Sequence, residues 1–250
     1  MSSTRKEANV SPKITSIFIS FVSMCMAVMV GYSLLQMRGL HWPELVAVLF
    51  LAVLTSRMKI KLPGLNGNMS VNLPFLLIAA VQLSLFESLL IAAASTLAQC
   101  FPKAGSKPNT VQILFNVSIV SLAIGLGSLC FQYKLFVREA LISASLLMTI
   151  VTAVVFLAQT IPVAAIISLT EGAKILRIWS SIFLLSFPYY LLSAGITSIV
   201  TTVSRHFGWQ IPLLLLPAMY AVYRSYQLYF AQAVSLTDGF ALAKAASTTR

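Results

Sequence analysis

The sequence predicts an all-α, polytopic integral membrane protein with about eight transmembrane or partly re-entrant helices and both termini in the cytoplasm. Of its 250 residues, 58% are hydrophobic and 9% are charged, whereas soluble domains carry about 25% charged residues. Apolar runs long enough to cross a bilayer recur from end to end of the chain. The lysines and arginines gather in alternate loops, as the positive-inside rule describes. We therefore attribute the net charge of +11 to membrane topology and predict no nucleic-acid partner.

Polar segments delimit the first two predicted helices. Ile14–Leu35 is an unbroken apolar run, longer than the core of a signal peptide, and it predicts an uncleaved first span that begins in the cytoplasm. Helix 2 is predicted to begin at Trp42, an interfacial residue, with Pro43 in its first turn, and to run to about Thr55.

The stretch Leu73–Phe101 decides how the rest of the chain is threaded. As a single helix it would be about 43 Å long, against a hydrocarbon core of about 30 Å, with Glu87 near its middle. Ser84 and Glu87 have the spacing of a capping box, at which a new helix can begin. We therefore predict a hairpin of two short helices, Leu73–Leu85 and Ser88–Phe101, with Glu87 in a first turn at the outer interface. Each arm is only about 20 Å long, so two short spans and a re-entrant hairpin both stay open.

Four further helices complete the predicted membrane domain. Their predicted bounds are Thr110–Phe131, Ala140–Thr170 with a bend at Pro162, Ile178–Val203, and Gln210 through Arg224. Small residues in the first of these, including Gly125 and Gly127, predict close helix packing. With this threading, thirteen of the 17 Lys and Arg residues lie on the inner side and four on the outer side. The chain then divides into a cytoplasmic segment 1–13, one membrane domain 14–224 and a cytoplasmic amphipathic tail 225–250.

The sequence contains no catalytic signature or metal-ligand spacing, and we predict that the protein is not an enzyme and uses no cofactor or metal. The three cysteines lie within or at the ends of apolar runs and are interpreted as small buried side chains. The predicted outer side carries two imidazoles and three carboxylates: His41, His206, Glu44, Glu87 and Glu139. These groups could bind a metal or sense pH, but they come from separate loops, and we interpret them as ordinary interfacial residues.

Four neutral polar side chains are predicted at depth within the bundle: Asn116, Gln159, Tyr189 and Tyr190. Around helix kinks, such groups could line a pocket for a small or amphipathic ligand. The favoured interpretation is that they form hydrogen bonds between helices. No acidic or basic side chain is predicted at mid-depth, which counts against a proton-coupled transporter or a voltage sensor.

The tail that follows Arg224 has no Gly or Pro before Gly239, so helix 8 is predicted to continue beyond the membrane. Its apolar face includes Tyr226 and Phe230. Such a face predicts either a membrane-surface anchor, which we favour, or contact with a partner helix.

Four segments together resemble a known class of bacterial membrane domain. They are KLPGLNGNMSVNLPF at Lys61–Phe75, LFESLLIAAAS at Leu85–Ser95, LFN at Leu114–Asn116 and GWQIPLLLLPAMYAVYRSYQLY at Gly208–Tyr229. The chain resembles, over roughly Trp42 to Tyr229, the membrane-embedded sensor (MASE-like) domains that precede HD-GYP phosphodiesterase or diguanylate cyclase output domains. The resemblance implies an input module of the bacterial cytoplasmic (inner) membrane and names no ligand.

Output chemistry is not implied by this resemblance, because the sequence ends about twenty residues after Tyr229, where such proteins enter their output domain. Signalling is then expected to need a cytoplasmic partner in addition to the lipid bilayer. One alternative is the substrate-binding subunit of an energy-coupling transporter, which is also small, basic and all-helical. A second alternative is a structural or assembly protein of the membrane.

Overall fold

The computed structural model describes residues 12–37, 39–61, 68–101, 110–133, 144–208 and 210–229. Its helices, in chain order, are α1 (Pro12–Leu35), α2 (Trp42–Ser56), α3 (Leu73–Gln82), α4 (Leu85–Cys100), α5 (Thr110–Tyr133), α6 (Ala144–Glu171) and α7 (Ile175–Phe207). A 3-10 turn, Ile211–Leu214, then leads into a helix over residues 215–229, which we call α8. The predictions that fall on residues 1–11, 38, 62–67, 102–109, 134–143, 209 and 230–250, Glu139 among them, lie outside the described residues.

Four of these helices are long and apolar enough to cross a membrane: Lys13–Leu35, Thr110–Tyr133, Ser145–Glu171 and Ile175–Ser204. The prediction of an all-helical chain is confirmed, and so is the prediction of apolar helices that are able to span a membrane. The helices α2, α3 and α4 are also apolar but shorter. Ten residues of α3 extend about 15 Å, which is half of a hydrocarbon core of about 30 Å.

The hairpin of α3 and α4 forms as predicted, with its turn displaced. The first helix ends at Gln82 and the second begins at Leu85, so each boundary lies three residues before the predicted one. Ser84 is the N-cap, and both halves of the capping box with Glu87 are present. The displacement has a simple cause: a capping serine directly precedes the first helical residue, so α4 begins at Leu85, inside the capping box, and not after it.

A small β-hairpin lies between α2 and α3. Its strands are β1 (Lys59–Lys61) and β2 (Asn68–Ser70), paired antiparallel with Ile60 opposite Met69. Strands of three residues are too short to show a period-two pattern, so the sequence carried no usable signal for them.

The short helix α3 forms the centre of the core. Every residue from Leu73 to Ala80 is buried, and α3 packs against α2, α4, α5 and α7. Its first turn meets the middle of α7, where the Leu73 N–H donates to the Tyr189 hydroxyl over 3.2 Å. The Thr197 hydroxyl of α7 donates to the Pro74 carbonyl over 3.3 Å. These bonds fix the start of α3 inside the protein, well away from either end of α7.

Close packing around α5 follows from its glycines, as the sequence predicts. A Cβ at Gly127 would lie 2.6 Å from a Val155 methyl on α6, and a Cβ at Gly125 would collide with the Met29 sulfur on α1. Because neither position has room for a side chain, both glycines let neighbouring helices approach α5 closely.

The last two long helices continue through their prolines. The helix α6 runs on past Pro162, and α7 past Pro188, and each is continuous helix. Gly172, with a φ of 67°, follows the end of α6, and Gly208, with a φ of 89°, follows the end of α7. Positive φ is adopted easily only by glycine, so these residues are natural helix stops.

Candidate functional site

Three of the four predicted pocket residues lie in one region of the core. The Tyr190 hydroxyl of α7 donates to the Gln159 amide oxygen of α6 over 2.6 Å. The Tyr190 ring packs edge-on against Phe156, with 4.8 Å between centroids. Tyr189 lies next to it, almost fully buried, with its ring centroid 6.1 Å from that of Tyr226 on α8. The helices α3, α6, α7 and α8 therefore meet around this tyrosine pair.

The fourth predicted residue, Asn116, bonds to a different helix. Its side-chain amide donates to the Cys100 sulfur at the end of α4 over 3.7 Å. The bonds of Asn116, Gln159 and Tyr190 join helices, in keeping with the interpretation that the sequence analysis favoured. A ligand pocket formed by the four predicted residues stays a prediction.

Glu87 lies at the centre of a second polar region, where α2 and α4 begin. One carboxylate oxygen accepts from the His41 backbone N–H at 2.7 Å. The other accepts from the backbone N–H and the hydroxyl of Ser84, at 2.9 and 2.7 Å. The His41 imidazole Nδ1 lies 3.8 Å from the second oxygen. Glu87 thus connects the starts of α2 and α4 through hydrogen bonds.

The interpretation of Glu87 as an ordinary interfacial residue is wrong, because its side chain is completely buried within the protein. Its position in the first turn of α4 is confirmed. Burial is tolerated because each oxygen accepts hydrogen bonds, which replace those that water would supply. From the outer cluster proposed from sequence, the structure brings together His41 and Glu87. Among the residues that the structure describes, no three His, Cys, Asp or Glu side chains form a group that could hold a metal ion.

A third polar region, which the sequence analysis missed, joins the ends of α1 and α5. The Tyr32 and Tyr133 hydroxyl oxygens are 2.9 Å apart. The Gln36 side-chain amide donates to both, over 2.7 and 2.9 Å, and the Tyr133 hydroxyl lies 3.1 Å from the Gln36 amide oxygen. We call these three side chains the tyrosine–glutamine network. The available signal was an aromatic residue near the same end of each helix, as is typical of a membrane interface.

Next to this network, Gln132 connects α5 with the α3–α4 turn. Its amide donates to the Ser128 hydroxyl over 3.0 Å and to the Leu83 carbonyl over 3.5 Å. Because Leu83 directly precedes the capping serine of α4, the polar regions of Glu87 and of the tyrosine–glutamine network occupy the same end of the bundle.

Two cavities of about 480 Å³ each lie along α1 and α5. The first, which we call the α1–α5 groove, is lined by Phe21, Met24, Cys25, Val28, Met29, Tyr32, Leu122 and Leu129. The second lies at the end of the bundle that the sequence predicts to face outward, and we call it the outer cleft. It is lined by Leu35, Gln36, Met37, Gln132 and Tyr133. The groove is almost entirely apolar, whereas the cleft combines apolar and polar surface.

No protein-family model matches the chain, and neither the curated proteins nor the solved structures contain a significant match to it.

Proposed function

We propose that the protein is a non-catalytic sensor or input module of the bacterial cytoplasmic membrane, which acts through a cytoplasmic partner. The observation that supports this proposal most strongly is a continuous set of contacts from the turn between α3 and α4 to α8. It runs from the α3–α4 turn along α3, through the bond from Leu73 to Tyr189, to the ring contact between Tyr189 and Tyr226. An input module needs a physical connection of this kind between the side that receives a signal and the side that reports it.

The proposal includes a topology of eight transmembrane or partly re-entrant helices, in which α3 and α4 are the short arms, with both termini in the cytoplasm. The distribution of Lys and Arg between alternate loops supports it. With that orientation, the Glu87 region and the outer cleft face away from the cytoplasm, and α8 leads toward the cytoplasm. Signals would then arrive at the outer end of the bundle and leave through the tail.

A chain that ends at Tyr229 tests the proposed output. We expect this truncated protein to insert normally and to lose photocrosslinking to its cytoplasmic partner, because the tail is the proposed contact. The full chain, carrying the same photoactivatable residue at position 224, is the matched control. Crosslinking that is equal in the two proteins would contradict the proposed contact between the tail and the partner, and would leave the tail as a membrane anchor.

A transporter subunit that binds substrate is the second candidate, and one observation favours it. The helix α3 begins inside the protein rather than at a membrane surface, as do the discontinuous helices of many transporters. The Leu73 N–H at this helix start already donates to the Tyr189 hydroxyl, so a substrate would have to replace that bond in order to bind this N–H. Uptake of a labelled substrate that depends on a co-expressed ATPase pair would favour this candidate over the sensor.

A further inference from the structure

The helix α1 is held to the rest of the protein mainly along one seam, which it shares with α5. Only 17% of the residues in its most apolar part are buried, against 61% for α5. The Phe18 and Phe115 rings lie 6.2 Å apart, and at the middle of α1 the Ser23 and Ser118 hydroxyls are 3.2 Å apart. The same seam contains the α1–α5 groove, whose lining on α1 begins at Phe21.

The groove has the length of one leaflet of a bilayer. Its lining on α1 extends from Phe21 to Tyr32, which corresponds to about 16 Å of helix. One leaflet of the hydrocarbon core is about 15 Å thick. The lining side chains are nearly all apolar, so the groove matches a single hydrocarbon chain in both length and chemistry.

The groove ends at hydrogen-bonding groups. Tyr32 lines its last part, and the Tyr32 hydroxyl belongs to the tyrosine–glutamine network, whose other members line the outer cleft. The α1–α5 groove and the outer cleft are thus adjacent along the same two helices. A molecule that fills both needs an apolar chain joined to a polar head.

The network indicates which kind of head group fits. The three side chains make four close contacts with one another. Together they have four N–H and O–H hydrogens, so each contact can use one of them. Lone pairs on the Tyr32 oxygen and the Gln36 amide oxygen remain as acceptors. Among the described residues that line the two cavities, none carries a formal charge. Such a surface favours a head group that donates hydrogen bonds.

We propose that the groove and the outer cleft together bind one phospholipid of the outer leaflet with a primary-amine head group, such as phosphatidylethanolamine. One acyl chain lies in the α1–α5 groove, and the ammonium donates to the acceptors of the tyrosine–glutamine network. As the input of a sensor, this site rests on the proposed function. As a binding site, it is tested by lipid retention, which is independent of signalling.

Native mass spectrometry of the full-length protein tests the site with two lipids. Phosphatidylethanolamine and phosphatidylcholine with identical acyl chains are titrated into the delipidated protein in mild detergent. Phosphatidylcholine has a quaternary ammonium and no N–H donor. We expect one retained lipid per protein, with a preference of about fivefold for phosphatidylethanolamine, as one net hydrogen bond provides.

Two kinds of variant separate the chain from the head group. Val28→Trp and, independently, Cys25→Phe fill the groove and should abolish retention of both lipids. Gln36→Leu should remove the preference for phosphatidylethanolamine while retaining a lipid. Leu184→Trp, on a side chain of α7 that is 74% exposed, is the matched control and should bind as the wild type does.

The thermal unfolding midpoint of each variant, measured in the same detergent, verifies its fold. Retention that is unchanged in both groove variants, or absent in the wild type, would overturn the site. Equal retention of the two lipids by the wild type would overturn the head-group assignment. Loss of partner crosslinking with lipid retention intact would contradict the sensor alone, so the two proposals fail separately.

Discussion

The backbone N–H of His41 and the carboxylate of Glu87 are joined by a hydrogen bond of 2.7 Å between residues that are 46 positions apart in the chain. The bond connects the start of α2 to the start of α4. Glu87 also completes the capping box of its own helix through Ser84. A single buried carboxylate therefore accepts hydrogen bonds from backbone N–H groups at two helix starts, where the helix itself supplies no acceptor. It also holds the α3–α4 turn against α2.

Substitution of Glu87 should destabilise the protein strongly. Hydrogen bonds to a charged group contribute about 1.5–3 kcal/mol each, and a buried donor that loses its acceptor costs about 1–3 kcal/mol. We expect Glu87→Ala to lower the free energy of unfolding by about 3 kcal/mol or more. Glu87→Gln, which keeps one acceptor oxygen, should cost less. Reversible unfolding in mixed detergent micelles measures both.

Glu44→Gln provides the matched control for this prediction. Glu44 lies in the first turn of α2, near the same end of the bundle, and it is only partly buried. A carboxylate in the first turn of an exposed helix contributes about 0.3–1 kcal/mol. If Glu87→Ala were no more destabilising than Glu44→Gln, the proposed joint role of Glu87 would be wrong.

The Tyr189 hydroxyl should contribute more to the free energy of unfolding than the hydroxyl of an exposed tyrosine does. Tyr189→Phe keeps the ring and removes the hydroxyl that accepts the hydrogen bond from the Leu73 N–H in the buried first turn of α3. We expect a loss of about 1–3 kcal/mol in unfolding free energy. Tyr220→Phe, at a side chain that is 53% exposed, should change it by less than about 0.5 kcal/mol. Equal effects would show that the Tyr189 hydroxyl does not fix the start of α3.

The sequence was informative where local chemistry determines the structure. The break between α3 and α4 follows from the spacing of Ser84 and Glu87, because a capping box acts within one helical turn. The lengths and apolar character of α1, α5, α6 and α7 follow from composition alone. The close packing at Gly127 was predicted from the small residues of α5.

What the sequence could not predict depends on contacts between distant residues. The burial of Glu87 depends on His41 from another helix, and a lone carboxylate at a helix start is by itself more typical of an exposed surface. The tyrosine–glutamine network joins residues about 100 positions apart. Neutral polar residues at helix ends have no spacing rule that would pair them, so only the packed structure brings them together.

Packing at Gly127 leads to a prediction with an internal control. Gly127→Ala places a methyl group 2.6 Å from a Val155 methyl, so the Val155 side chain or the helices α5 and α6 must shift. Overpacking of this kind costs about 1–3 kcal/mol. Gly195→Ala, in α7, meets open space within 4 Å and should stabilise the helix by up to about 1 kcal/mol. Destabilisation by both variants to the same extent would contradict the packing explanation.

The orientation in the membrane is tested by cysteine labelling in a protein whose three native cysteines are replaced by alanine. Glu87, the obvious outer position from the sequence, is unsuitable because its side chain is completely buried. His41 is a better choice, because its side chain is 71% exposed. Its shortest contact with Glu87 is made by the backbone N–H, which a cysteine at this position would keep. Phe207, which is 72% exposed at the end of α7, provides a second outer position.

We expect an impermeant thiol reagent to label His41→Cys and Phe207→Cys in intact cells. Cysteines at Ser106 and Glu171 should be labelled only after the membrane is permeabilised. The physical reason is the distribution of Lys and Arg, which retains the loops around these two positions on the cytoplasmic side. Because the chain breaks between α3 and α4, Ser106 should share a side with the loop that precedes α3. Labelling of Ser106→Cys in intact cells, together with protection of His41→Cys, would show that the topology is the reverse of the proposed one. The outer cleft and the proposed lipid site would then lie on the cytoplasmic side.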